Sequence, residues 1–168
     1  MAWLIRTLTN PAAAMAKKFW LMKSEPYVYS IDDLEREGST CWEGVRNYKA
    51  RNNMREMSVG DEVLYYHSNA KPPGVVGIAR VCKEAYTDHF SLTPGHKYFD
   101  AKSDPDKPRW SMVDVEFVAK FDDIVGLDRI KADESLEEME LVRYGRLSVQ
   151  SVTKKEFAYI KRMAGYKG

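Results

Sequence analysis

The sequence predicts an α+β fold, a small mixed domain in which about five short strands form a curved sheet or incomplete barrel interrupted by short helices. Three observations lead there. Several segments alternate apolar and polar residues with the period of a strand, among them the run "WSMVDVEFVAKF". The helical segments are brief and open on recognisable caps. Strands and helices do not alternate regularly, which excludes a doubly wound parallel sheet.

Taken in order, Phe19 to Lys23 is almost wholly apolar, with Trp20 and Met22 opposed to Phe19 and Leu21, as in a strand buried on both faces. Pro26 stops it. Ser30 and Asp33 resemble a capping box for a two-turn helix that closes at Gly38. In "CWEGVRNYKARNNMREMSVGD" helical spacing turns Val45, Tyr48 and Met54 or Met57 inward and puts Arg46, Lys49 and Asn53 on another, locally basic stripe. "GDEVLYYHSN" is a strand with Val63, Tyr65, His67 and Asn69 on one face and Leu64, Tyr66 and Ser68 on the other. "VVGIARVCKEAY" follows as another strand, its Gly77 suited to a bend or bulge. The stretch from Thr87 to Pro108 has no periodicity and is expected to lie over a surface. In the long alternating strand, Val113, Val115, Phe117, Ala119 and Phe121 share one face, and Trp110, Met112, Asp114 and Glu116 the other. The last third turns helical and acidic, "GRLSVQSV" is extended, and Thr153 with Glu156 caps a helix that turns Phe157, Ile160 and Ala164 inward.

The length suits one domain, expected over residues 17–168, with residues 1–16 as a disordered or non-native-like extension. A formal charge of +1 excludes a chain that coats nucleic acid by bulk electrostatics and leaves room for a local basic patch. Two distant cysteines, Cys41 and Cys82, suit reduced thiols. No apolar run reaches the roughly 18 residues of a membrane span.

His67, His89, His96 and the cysteines match no zinc spacing, so no metal or cofactor is expected. No phosphate-binding glycine motif is present. Lys23, Ser24 and Glu25 bring an amine, a hydroxyl and a carboxylate together at a strand end, either as a nucleophilic cluster or as an ordinary edge pair with a turn-capping serine. A pocket for one nucleobase uses more of what is present, because it needs aromatic faces, neutral donors and acceptors, and cations for adjoining phosphates. Trp42, Arg46, Asn47, Ser68, Asn69 and Trp110 supply these types, although a tryptophan at a strand start also serves a core and Asn69 also serves a turn.

The segments "FWLMKSEP", "WEGVRNYKARNNMREM", "GDEVLYYHSN", "PPGVVGIARV", "PRWSMVDVEF" and "GRLSVQSV", in this order, closely resemble the EVE domain family from about Lys17 to Ala164. The resemblance implies a PUA-like pseudo-barrel of about five to six mostly antiparallel strands flanked by short helices, with a pocket for a modified base in DNA or RNA. Carried over by position, that pocket draws on Lys23, Ser24, Glu25, Trp42, Arg46, Asn47, His67, Ser68, Asn69 and Trp110. Trp42 and Trp110 are assigned as stacking walls, Ser24, Asn47, Ser68 and Asn69 as edge readers, and Arg46, Lys49 and Arg51 as phosphate contacts. "RNYKARN" has Lys49 where many relatives carry glutamine.

The expected activity is non-enzymatic reading of a modified base, with nucleic acid as the partner and neither membrane nor obligate protein partner implied. The expected location is the cytoplasm of a bacterium or the nucleus of a eukaryote. Two rivals stand beside it. One is an ASCH-like amidohydrolase of modified nucleosides, with Lys23 as base or nucleophile and Glu25 as proton carrier. The other is a general RNA-binding module carried by Arg46, Lys49, Arg51 and Arg55.

Overall fold

The computed structural model describes residues 16–168, so the extension expected at the N-terminus lies, but for Ala16, outside the described residues. Six strands form one mixed, unclosed sheet: β1 (Phe19–Ser24), β2 (Ser39–Cys41), β3 (Glu62–His67), β4 (Gly74–Thr87), β5 (Ser111–Gly126) and β6 (Val149–Val152). Their spatial order is β2-β5-β4-β3-β1-β6. All pairs are antiparallel except β1 with β3, which run parallel and bring Ser24 opposite His67. This exception positions the site. Parallel strands end on the same side of a sheet, so "KSE" and "HSN" finish next to each other, and the bond from Ser68 N–H to Ser24 O (3.0 Å) continues the pairing beyond both. Antiparallel β6 begins at that end too, where Lys23 N–H donates to Ser148 O at 2.9 Å.

Both faces of the sheet carry a core. On one, Trp20, Met22, Val63 and Tyr65 pack with helices α1 (Ile31–Glu37) and α2 (Tyr48–Arg55). On the other, Leu21, Leu64 and Tyr66 pack with Ile130 of α3 (Leu127–Ala132), Leu141 of α4 (Glu140–Arg143) and Phe157 and Ile160 of α5 (Lys154–Met163). The capping boxes expected at Ser30–Asp33 and Thr153–Glu156 are both formed. Burying the apolar side chains of both cores, at roughly 1.5–3 kcal/mol for each large one, is what offsets the entropy of ordering the chain.

Two expectations change. β2 comes from residues that carry no strand pattern; three residues pair with β5 from Ser39 to Cys41, and Trp42 N–H extends the ladder to Val113 O at 2.8 Å. The alternation in β5 does not hold to its end. Ile78 and Ala79 face Ala119 and Phe117, which leaves Val118 as an extra residue in a bulge. Beyond it the faces exchange, so Phe121 joins the opposite core from Val113 and Val115. In β4 the register also shifts at Gly77, where a Cβ would collide with the Ala119 carbonyl, so the two backbones meet more closely than a side chain allows.

Candidate functional site

The ends of β1 and β3, the segment after β2, the long β4–β5 loop and the turn before β6 surround a cavity of about 640 Å³. That size lies within the usual range for small-molecule sites, roughly 300–1,000 Å³. Lys23, Ser24, Glu25, Trp42, Arg46, Ser68 and Asn69 line it. Asn47, His67 and Trp110 are absent from the lining and are engaged nearby.

Trp42 is buried, with its ring edge-on to Tyr65 at 5.4 Å. The Trp20 indole donates to Asp61 (3.0 Å) and the Trp110 indole to Asp100 (2.7 Å). The Trp42 indole N–H finds no acceptor among the described residues and remains accessible to solvent. An aromatic wall with a free donor is what a flat, polar-edged ligand requires.

Another wall comes from the long loop, which contributes Lys97 and Tyr98 and covers this end of the sheet. Asp88, wholly buried, accepts from Gly44 N–H (3.0 Å), Phe90 N–H (3.0 Å) and the Arg46 guanidinium (2.8 Å). Arg46 in turn donates to Tyr98 O at 2.6 Å. Tyr98 lies against Gly44, whose φ of +82° and whose contact with the ring, 2.5 Å from any added Cβ, both demand glycine. Arg46 is therefore held by the fold, its charge answered by Asp88. Behind the loop, Trp110 stacks on Tyr48 at 5.0 Å and grips Asp100, so it braces this wall without facing the cavity.

The remaining expected residues have local duties. Asn47 caps α2 by accepting from Ala50 N–H at 3.0 Å. His67 Nε2 accepts from Ile31 N–H at 3.1 Å at the start of α1, and burial lowers the pKa of its imidazole. Lys49 pairs with Glu140 at 3.8 Å and lies over Tyr144. Arg51 donates to Arg109 O (2.9 Å) and covers the Tyr48 ring. Neither of these two cations lines the cavity.

Sequence reasoning missed Lys97, Tyr98, Gly145, Arg146 and Ser148 among the lining. Lys97 and Arg146 are exposed and make no ion pair among the described residues. Their only signal was membership of an aperiodic loop and of a turn before a strand. Lys23 spans the floor, where its ammonium donates to Gly145 O at 2.6 Å and burial lowers its pKa. The Glu25 carboxylate, held below its ordinary pKa by hydrogen bonds first from Tyr27 and then from Asn69, sits at the rim. Burial pushes the Cys41 thiol up to about 11, which removes it as a nucleophile at neutral pH. Among the described residues, no three His, Cys, Asp or Glu side chains converge in a way that would hold a metal ion.

The EVE domain family model matches residues 18–163. The chain belongs to the EVE domain family. Thymocyte nuclear protein 1 of Rattus norvegicus is 42% identical over 161 residues, which cover 84% of this chain and 71% of that protein. A hypothetical protein from Leishmania major is similar in structure, with a TM-score of 0.86 and 51% identity over 89% of this chain and 95% of that one. Human THYN1, solved in complex with 5-methylcytosine-containing DNA, has a TM-score of 0.85 and 37% identity, covering 90% of this chain and all of that one. The mixed, unclosed sheet described above matches the PUA-like EVE fold of the THYN1 structures.

Proposed function

We propose that this EVE domain binds a modified nucleobase without transforming it, with 5-methylcytosine in DNA as the first candidate. The observation that carries the reading is the cavity itself, with a buried tryptophan wall whose indole N–H is unspent and two unpaired cations at its edge. The human relative crystallised with 5-methylcytosine DNA supports the choice of ligand. In this reading Trp42 supports the base face, Ser24, Ser68 and the Trp42 indole read its edge, and Lys97 and Arg146 meet the flanking phosphates. Lys49 and Arg51, outside the lining, are set aside from that last role, and Arg46 acts by holding Tyr98. If the chain is eukaryotic, the name of its relatives supports a nuclear location.

Binding rather than turnover suits the ionisable groups. Glu25 is a carboxylate of lowered pKa, ionised at neutral pH and short of the raised pKa that a proton donor needs. Lys23 is occupied by a carbonyl. Base stacking on an aromatic side chain is worth about 1–3 kcal/mol, and filling an apolar contact with a methyl group a comparable amount. Titration of matched oligonucleotides carrying cytosine, 5-methylcytosine, 5-hydroxymethylcytosine or N6-methyladenine tests the reading. A preference for one modified base is expected; equal affinity for all would refute it.

A further inference from the structure

The turn between β1 and α1 carries two exposed side chains that pack into neither core. Tyr27 is 73% and Val28 49% exposed, and Val28 belongs to the cavity lining, so the pair sits at its mouth. An exposed ring on a slack turn would fold back onto apolar neighbours. This turn is braced instead. Val28 and Tyr29 N–H both donate to Glu25 O, at 2.9 and 3.0 Å, and Tyr29 O accepts the Tyr65 hydroxyl at 2.9 Å. The Glu25 carboxylate accepts from Asn69 Nδ2 at 2.6 Å, which ties the turn to the segment after β3. Two parallel strand ends thus hold a projecting aromatic and a branched aliphatic side chain beside a basic opening that includes Lys97 and Arg146.

A base that enters the cavity from a double helix leaves a gap in the stack, and the unstacking is unfavourable unless something fills it. Apolar side chains inserted at a base step do that in other DNA-binding proteins. We propose that Tyr27 and Val28 form a wedge that enters the stack of duplex DNA as the modified base is drawn into the cavity. The proposal rests on the base-reading function above and adds the form of the substrate: the site takes its base out of a duplex, and the pair at the rim stabilises the opened helix.

The test compares wild type with Tyr27→Ala, the member of the pair outside the cavity lining, on one oligonucleotide containing a single 5-methylcytosine, presented as a single strand and as a duplex. Tyr27 lies outside both cores and outside the cavity lining, and a thermal melt confirms that the variant is folded. Duplex affinity is expected to fall roughly tenfold while single-strand affinity stays within about twofold, because only the duplex has a gap to fill. A 2-aminopurine beside the methylated base should brighten on binding wild type to the duplex and much less with the variant. Equal losses on strand and duplex, no loss on the duplex, or a wild type that fails to bind the duplex would each overturn the wedge. Failure of the underlying function has a different signature: equal affinity of wild type for methylated and unmethylated single strands, which removes the premise.

Discussion

Asp88→Asn tests how the cavity is walled. Asp88 is wholly buried and accepts from two backbone N–H groups and from Arg46, all with its carboxylate oxygens. Asparagine keeps the shape but, whichever way its amide turns, sets an N–H against a donor. Removing one partner of a buried ion pair costs about 3–5 kcal/mol. Here the low end applies, because the Arg46 side chain is 24% exposed and keeps the carbonyls of Val45 and Tyr98 as acceptors. One backbone N–H left without a partner adds about 1 kcal/mol. The sum, roughly 4 kcal/mol, corresponds to a fall in Tm of about 8–16 °C at this chain length. Circular dichroism melts measure it, and hydrogen exchange should show the amides around Tyr98 opening first. A Tm within about 2 °C of wild type, with protection unchanged, would refute the claim that Asp88 secures this wall.

Trp110→Ala should be a stability variant, with a loss of about 3–5 kcal/mol in denaturant unfolding, because it removes a buried ring and the Asp100 anchor; an unchanged midpoint would contradict that role. Lys97→Ala and Arg146→Ala should each flatten the salt dependence of DNA binding by about one counterion, whereas Lys49→Ala and Arg51→Ala leave the slope in place. The third expectation concerns pH. His67 accepts the Ile31 N–H only when neutral, and burial holds its folded pKa below the ordinary 6.5. The unfolded chain therefore takes up the proton first as pH falls. Stability is full above the ordinary imidazole value and is lost as pH drops from there through the lowered one. Chemical denaturation across that window should show the loss, and His67→Gln should remove its pH dependence.

Much of the sheet was legible because burial writes a period into the sequence. β1 alternates between two cores, and its neighbour β3 does the same, so both faces could be assigned from residues 19–24 and 62–67 alone. The two capping boxes were legible because their hydrogen bonds are local. β2 was not, since three residues are too few to show a period. The Val118 bulge was not, because an inserted residue becomes visible only against its partner strand. The strand ends at "KSE" and "HSN" do meet, through a parallel pairing that their own residues do not announce. Trp42 and Trp110 looked equivalent as tryptophans beside strands. What separates them is whether the indole N–H finds a carboxylate, and Asp100 supplies one to Trp110 from a loop without periodicity. Lys97 and Arg146 escaped notice for a related reason: they are neighbours of the cavity only through long-range folding.

The central claim, that the Trp42 cavity reads a modified base, is tested most directly by the affinities of wild type and Trp42→Ala for matched oligonucleotides with cytosine or 5-methylcytosine at one position. The account expects wild type to favour the methylated strand by about 1–3 kcal/mol and Trp42→Ala to bind weakly with the preference gone. Equal affinity of wild type for both strands, or a preference that survives the loss of Trp42, would contradict it.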